Sequence, residues 1–431
     1  MMLDRFVNGD PTNDNANGTA WERDLTGTQL RHGGDIQGLV DTLDYLAGMG
    51  IKGIYLAGSP MINFPWGSDG FSPLDLTLLD PHFATINVWR EVIETMHARG
   101  MWWDNYGQQV IGNGTENFIG CRDSESDQYG DVAAFDIYPE IQMLDINGFR
   151  MDKGEEITVD AQGEFADYIR QCAVALGKKD FFIPGEIVSG NAFGAVYLGR
   201  GKGPSMAVND TTKAVQLTTN NVDDSLFIRA KGKNAFDAAC FHYSTYQSLM
   251  RFLDDNLGAT DETPVDFIEA WNAFIQTRDM VNPNTGVFDP PHRYECQNQD
   301  NFRWPTIDNG TQKQVLGNFI TTLLLLGIPL LQWGEEQAYY VLDNTTKSYV
   351  FGRQPMSSAT AWQDHGCYYV GNAKFATWPD GTYKDGCKND RNSLDPRDPS
   401  HPIRNLFTVM FEMRNRYPVL NNGFYVDSIT K

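Results

Sequence analysis

Apolar positions along this chain switch repeatedly between a helical period and short buried runs. From Asp35, Leu39, Leu43 and Leu46 recur every three or four residues and Gly50 closes the run, which predicts an amphipathic helix. The next stretch, Ile51-Lys-Gly-Ile-Tyr-Leu-Ala57, predicts a buried strand. A helix over 87–99 leads past Gly100 into a strand at Met101-Trp-Trp-Asp104. Further strands are predicted at 146–152, 181–186, 238–242, 294–297 and 330–333, and helices at 162–176, 264–279, 311–326 and 402–416. Strands alternating with helices imply parallel βα units, an α/β fold. The most apolar stretch, Val315 to Trp333, is interrupted by Asn318, Thr321, Thr322 and Gly327-Ile328-Pro329. It predicts a buried helix followed by a buried strand, not a membrane span.

The predicted strands share one detail. Asp104, Asp152, Glu186, Asp300 and Glu335 sit at or just past the C-terminal end of an apolar strand. In a βα barrel those ends converge on one face, where the chemistry sits. The segment 345–402 shows little periodicity and is rich in Gly, Asp, Ser, Pro and aromatics. It is too long for an ordinary connection, so it is expected to run over the active face.

Four constellations carry candidate chemistry. Asp4-Arg-Phe-Val-Asn8-Gly-Asp10-Pro-Thr-Asn13-Asp14, with Gly33-Gly-Asp35, offers short oxygen-bearing side chains on a turn, suited to a hard cation such as Ca²⁺. A plain Asx-rich turn is the bland alternative. In Gly148-Phe-Arg150-Met-Asp152 the Arg and Asp are two apart and share a strand face. The Arg would hold the Asp ionised, which suits a nucleophile; a structural ion pair is the alternative. Glu186 ends the apolar run Phe181-Phe-Ile-Pro-Gly, where desolvation raises a carboxyl pKa and suits a general acid. Asn298-Gln299-Asp300 supplies a third carboxylate for sugar hydroxyls, unless Asp300 is a helix cap. Two carboxylates on converging strand ends fit retaining glycoside chemistry, with Asp152 as nucleophile, Glu186 as acid/base and either water or a sugar as acceptor.

Composition narrows the partners. The 431 residues carry 34 Lys+Arg against 56 Asp+Glu, a net charge of −22. That disfavours nucleic acid and anionic lipid and leaves neutral sugars untouched. The six Cys form no C-x-x-C pair, which sets zinc and thioredoxin-type chemistry aside. Five N-x-T sequons, at Asn17, Asn113, Asn209, Asn309 and Asn344, lean towards secretion. The N-terminus, Met-Met-Leu-Asp-Arg-Phe, has no apolar signal core, so a start upstream is expected.

Taken in order, these motifs resemble the α-amylase superfamily, glycoside hydrolase family 13. Gly148-Phe-Arg150-Met-Asp152 resembles its nucleophile strand, Gly185-Glu186 its acid/base strand and Asn298-Gln299-Asp300-Asn-Phe-Arg303 its third-acid segment. Gly327-Ile-Pro with Trp333-Gly-Glu-Glu336 resembles the eighth-strand region, and Asp69-Gly-Phe71-Ser-Pro the loop after the second strand. Asn8, Asp10, Asn13, Asp14, Gly33 and Asp35 resemble the calcium site of the cyclodextrin glucanotransferase-like members. The resemblance implies an amylase-type (β/α)8 TIM barrel. It implies catalysis by Asp152, Glu186 and Asp300, and substrate contacts from Arg150, Asp104, Gln109, Gln299, Phe71 and Arg303. It also implies a structural Ca²⁺ and an α-glucan or malto-oligosaccharide substrate.

Longer strings are not generic to that superfamily. Asp4-Arg-Phe-Val-Asn-Gly-Asp-Pro11, Asn191-Ala-Phe-Gly194-Ala-Val-Tyr-Leu-Gly-Arg-Gly201, Asn298-Gln-Asp-Asn-Phe-Arg-Trp-Pro305 and Phe351-Gly-Arg-Gln-Pro-Met-Ser-Ser-Ala-Thr-Ala-Trp-Gln363 resemble the extracellular amylase-like domain of fungal cell-wall α-1,3-glucan synthases. That resemblance implies retaining transglycosylation or processing of α-glucan in cell-wall biogenesis. The setting would be the cell-surface face of the plasma membrane, within a larger membrane-embedded synthase. A secreted α-amylase acting on α-1,4-glucan and a degenerate glucan-binding module are the alternatives. Two histidines of typical amylases are replaced by Gln109 and Gln299, and a stacking tyrosine by Phe71, which makes a different acceptor or linkage plausible. Against the superfamily's plan the barrel is expected to be incomplete. It would lack its first strand, a helix between Asp104 and Asp145, and the C-terminal β-domain. The implied division is a barrel over 1–416, with a reduced insert at 105–145 and an active-face excursion at 345–402, then the start of a truncated β-domain at 417–431.

Overall fold

The computed structural model describes residues 1–16, 31–58, 60–63, 73–107, 144–152, 154, 158–187, 236–240, 293–295, 298–300, 312–337, 353, 356 and 397–422, with single positions at 266, 268 and 272. Its frame is a parallel sheet of five strands in the order β1 (Gly53–Tyr55), β4 (Trp102–Gly107), β5 (Gly148–Met151), β6 (Pro184–Glu186) and β7 (Ala238–Cys240). A second parallel pair joins β8 (Arg293–Glu295) to β9 (Ile328–Leu330), and β7 packs against β8. On the other edge Met1 donates its amino group to the Tyr55 carbonyl and accepts from Ala57 N at 2.7 Å. Among the described residues no strand precedes β1, because the chain turns at once into a 3-10 helix at Leu3–Arg5.

Helices follow the predicted pattern closely. They are α1 (Ile36–Met49), α2 (Ile86–Ala98), α3 (Val159–Ala175), α4 (Gln312–Leu324), α5 (Pro402–Arg416) and the short α6 (Val419–Asn422). Asp35 caps α1 by accepting from Gly38 N, and Gly50 ends it in the left-handed conformation at φ 102°. Leu39, Leu43 and Leu46 of α1, Trp89, Val92, Ile93 and Met96 of α2, and Phe407 and Met410 of α5 are buried in one core. Trp103 of β4 meets Trp89 edge-on at 5.6 Å. The spent carbonyls of α4 are collected by Arg414, which donates to Leu323 O at 2.8 Å, Leu325 O at 2.9 Å and Gly327 O.

Three expectations are corrected. The last strand lies at 328–330, not 330–333, because Gln332–Gly334 form a turn. Glu335 accepts from Gln332 N at 2.7 Å and Glu336 from Gly334 N at 2.9 Å, so these buried carboxylates cap the turn. The strand expected at 146–152 is regular only over 148–151, since Asn147 spends its side chain on Trp103 N and His97 Nε2, and Asp145 takes φ 53°. An antiparallel hairpin, β2 (Met61–Asn63) with β3 (Pro73–Leu79), stands where no element is predicted; Leu74-Asp75-Leu76-Thr77-Leu78 alternates apolar and polar positions as a strand does. Of the helix expected at 264–279 only positions 266, 268 and 272 are described, and residues 108–143 and most of 345–396 lie outside the described residues.

The N-terminal loop touches the start of α1 backbone to backbone. A Cβ built at Gly38 would fall 2.2 Å from Val7 O, and one at Gly9 2.2 Å from Gly38 N. An alanine in a helical first turn ordinarily gains about 0.5–1 kcal/mol over glycine. Gly38→Ala is expected to reverse that sign and cost about 1–3 kcal/mol, by overpacking against backbone that has nowhere to go. Urea unfolding of the two proteins measures it; an unchanged or higher midpoint would show the loop can yield.

Candidate active site

Strand register places the first two carboxyls. β5 and β6 pair with Met151 opposite Gly185, so the next residue on each strand, Asp152 and Glu186, emerges side by side. Gly185 makes this approach feasible, because a Cβ there would meet the Phe236 ring at 2.6 Å. Arg150 lies fully buried on β5 and ion-pairs with both: Nη1 with Asp152, Nη2 with Glu186 Oε2 at 2.7 Å. Glu186 is buried and Asp152 about a quarter exposed.

The electrostatics separate the two acids. Burial pushes the Glu186 carboxyl up to about 8; Arg150 opposes this, while a hydrogen bond and charge from Asp152, and charge from Asp300, reinforce it. The pair therefore keeps one proton at neutral pH. The two environments differ: Glu186 is buried and holds a proton at neutral pH, and Asp152 is partly exposed beside Arg150.

Asp300 completes the cluster from the loop after β8. Its backbone N donates to Asn298 Oδ1 at 2.7 Å, and Gln299 Nε2 donates to its Oδ2 at 2.9 Å. Arg353 closes the other side, with Nη2 at 2.5 Å from Asp300 Oδ1 and Nε at 2.8 Å from Gln299 O. Arg353 carried no role in the sequence reading. It lies in the string 351–363, but nothing in periodicity or spacing ties it to an acid 53 positions earlier. Arg5, also without a predicted role, donates to Arg353 O at 3.3 Å and accepts from Met356 N at 2.6 Å.

The other predicted site residues divide as follows. Asp104 stands on β4 opposite Tyr55 and Gly148, with its side chain outside the described residues. Phe71, Gln109 and Arg303 lie outside them altogether. The six predicted cation-loop residues are all described, and five of them fall into two hydrogen-bonded groups, Asp35 with Asp10 and Asn13, and Asn8 with Asp14. Asp35 accepts from Gly9 N at 3.0 Å, Asp10 N at 2.8 Å, Gly38 N at 2.6 Å and Asn13 Nδ2 at 3.3 Å. Its pKa is raised by burial, which these bonds offset in part. Asn8 Nδ2 donates to Asp14 at 3.0 Å, and Asp10 accepts from Thr12 N at 3.0 Å. Gly33 takes φ 97° and donates to Asp4 at 3.2 Å. Among the described residues no three His, Cys, Asp or Glu side chains gather as a metal cluster. Two amide oxygens in the loop, Asn8 Oδ1 and Asn13 Oδ1, are buried without a hydrogen-bond partner. Amide oxygens of that kind are ligands a hard cation takes.

Comparison with known proteins places this geometry. A family profile described as "Alpha amylase, catalytic domain" matches residues 2–103. The cell wall alpha-1,3-glucan synthase mok11 of Schizosaccharomyces pombe is 36% identical over 98% of this chain and 21% of its own length. The synthase ags1 of the same yeast is 34% identical over 100% of this chain and 22% of its own length. The chain thus spans about a fifth of the length of these relatives. The mok11 alignment runs over 518 positions against a chain of 431 residues, so at 87 positions or more the relative has residues that this chain lacks. Among solved structures, an Anoxybacillus α-amylase superposes with a TM-score of 0.59 at 19% identity, covering 97% of this chain and 78% of that one. The cyclomaltodextrin glucanotransferase CldA superposes with a TM-score of 0.59 at 16% identity, over 98% and 80%. At such identities the likeness is one of fold, and it is an amylase-type TIM barrel. The chain belongs to the α-amylase family of glycoside hydrolases, and nearly its whole length is homologous to the amylase-like region of cell-wall α-1,3-glucan synthases.

Proposed function

We propose that this barrel processes α-glucan by retaining transglycosylation, as the amylase-like part of a cell-surface α-1,3-glucan synthase. The observation that carries the reading is one cluster: buried Arg150 pairs with both Asp152 and Glu186, and Asp300 bears on the latter. Asp152 attacks the anomeric carbon of a bound α-glucan while Glu186 gives its proton to the departing glycosidic oxygen. The bond to the leaving sugar breaks and a covalent glycosyl-Asp152 ester forms. Glu186, now a carboxylate, takes the proton of an acceptor hydroxyl, which displaces Asp152 and restores the anomeric configuration. Asp300 and Gln299 contact sugar hydroxyls flanking the bond. Gln109 and Gln299 stand where typical amylases carry histidines; an amide orients hydroxyls without adding charge, which supports an acceptor other than water. The barrel spans 1–416, with the excursion 345–402 over its active face and a β-domain beginning at 417–431.

The N-terminal loop fits a structural Ca²⁺. Asn8 Oδ1 and Asn13 Oδ1, the orphaned amide oxygens, would hold it with Asp10, Asp14, Asp35 and the Gly33 backbone. The ion would neutralise the gathered carboxylates and tie the loop to the start of α1. A second reading, a glucan-binding module without catalysis, is favoured by the 87 or more alignment positions empty in this chain of 431 residues.

Incubating the folded chain with maltoheptaose, and with α-1,3-linked oligosaccharide as acceptor, should give transfer products. Asp152→Asn should lower their formation about 10⁴-fold. Transfer by the wild type at the Asp152→Asn rate would leave only the binding reading; reducing sugar without transfer would make the chain a hydrolase. Because Glu186 must arrive protonated, kcat/KM should fall as pH rises through about 8. A decline starting near pH 5 would remove Glu186 as the acid.

The same shift predicts stability. Between the ordinary carboxyl value of 4.5 and about 8, the folded chain binds more protons at Glu186 than the unfolded chain, so the group destabilises increasingly as pH rises through that window. Glu186→Gln should therefore match the wild type below pH 4 and surpass it in denaturant midpoint by pH 8. An equal difference at both ends would mean the carboxyl is not desolvated. For the cation, removing Ca²⁺ with a chelator should lower the melting temperature of the wild type, and the double change Asn8→Ala, Asn13→Ala should abolish that response. A melting temperature indifferent to Ca²⁺ would discard the ion.

A further inference from the structure

Asp300 is the one member of the catalytic cluster not fixed by strand register. It sits in a turn, about a third exposed, and a carboxylate there is free to rotate unless held. Arg353 holds it with a two-point contact. One nitrogen meets the Asp300 carboxylate at 2.5 Å, and another donates to the carbonyl of the preceding residue, Gln299, at 2.8 Å. A planar guanidinium bonded to both a side chain and its adjoining backbone fixes the direction of that side chain, which a point charge does not.

Arg353 is itself anchored. Its carbonyl accepts from Arg5 at 3.3 Å, and Met356 N donates to Arg5 O at 2.6 Å. Arg5 is fully buried and pairs with Asp4 at 3.0 Å, and Asp4 accepts from His32 N at 2.9 Å and Gly33 N at 3.2 Å. Hydrogen bonds thus run from the residues that lead into α1, through the N-terminal 3-10 turn, to the third carboxylate.

We propose that Arg353 is a positioning residue: the segment after the last barrel strand carries it onto the active face, where it fixes the Asp300 carboxylate for the sugar hydroxyls and moderates the negative charge around Glu186. This rests on the glucan-processing reading above. Among the described residues, Asp300 faces Arg353, Gln299 and Glu186, and Glu186 faces Arg150, Asp152 and Asp300. Two guanidiniums therefore balance three carboxyls, and one of the two is Arg353.

The test is a double-mutant cycle on the full chain, read by calorimetric titration with acarbose and by turnover of maltoheptaose. Arg353→Met should lower affinity and kcat/KM by roughly 10²-fold, the loss expected of a catalytic group misplaced by about an ångström. In an Asp300→Asn background, the same change should cost less than about 3-fold, because its target is already gone. Arg353→Lys keeps the charge without the fork and should recover part of the loss, which also serves if the methionine variant folds poorly. The alkaline limb of kcat/KM should move to higher pH in Arg353→Met, since losing a cation tightens the proton on Glu186. Equal losses in both backgrounds would overturn the proposal, leaving Arg353 either a direct sugar ligand or a support of the fold. Folded wild type that neither binds acarbose nor converts maltoheptaose would remove the glucan-processing reading and this inference together; binding with additive losses removes the inference alone.

Discussion

A fully buried guanidinium is the constraint around which this molecule is organised. Removing the charge of Arg150 from water costs several kcal/mol unless carboxylates meet it at close range. Asp152 meets it as an ion pair and the Glu186 carboxyl lies 2.7 Å away, and both are there because β5 and β6 run parallel in a register that brings the residues after Met151 and Gly185 to the same level. The cation needs the ladder, and the ladder needs Gly185 to admit Phe236. One cation shared by two acids leaves the more buried acid short of compensation, so Glu186 keeps its proton. The chemical asymmetry of the pair is thus a product of packing.

The third carboxylate obeys a different logic. No strand ladder holds Asp300; its orientation comes from the neighbouring Asn298 and Gln299 side chains and, at long range, from Arg353 with Arg5 behind it. The N-terminal loop is where that support originates; its close backbone contacts with α1 at Gly9 and Gly38, and with Gly34 just before α1, leave it little room to shift. The same loop carries the two orphaned amide oxygens. A cation there would stiffen the region from which the bonds towards Asp300 begin, linking a structural ion to the active face without any ligand in common.

What could be read from the sequence follows this division. α1, α2 and α5 are legible because Leu39, Leu43 and Leu46, or Trp89, Val92, Ile93 and Met96, repeat at helical spacing and are buried as that spacing requires. Arg150, Asp152 and Glu186 are legible because their roles depend on local strand context: a two-residue spacing and an apolar run. Arg353 and Arg5 were not, since a contact spanning 53 or 348 positions leaves no periodic trace. Glu335 was read as a strand-end acid of the active face, yet it caps a turn. Its position after an apolar stretch is the same for either role, and only the path of the backbone after Leu330 separates them. In the hairpin β2–β3 the alternation Leu74-Asp75-Leu76-Thr77-Leu78 does mark a strand, but its partner β2 is only three residues long, too short to show a period, and their pairing is bulged.

The parallel ladder of the sheet holds across a long stretch of intervening chain. β4 and β5 pair over four residues in register, although residues 108–147 intervene between them in the chain. Parallel pairing of that kind is set by the strands' own ladder and by side chains such as Asn147, which bonds across to Trp103. The five side chains of the cluster come from β5 and its end, β6, the turn after β8 and position 353, and each makes contacts within the described residues. A carboxylate held by side chains, as Asp300 is by Gln299 and Arg353, can be re-aimed by substitution at those side chains without disturbing the strand ladder that places Asp152 and Glu186.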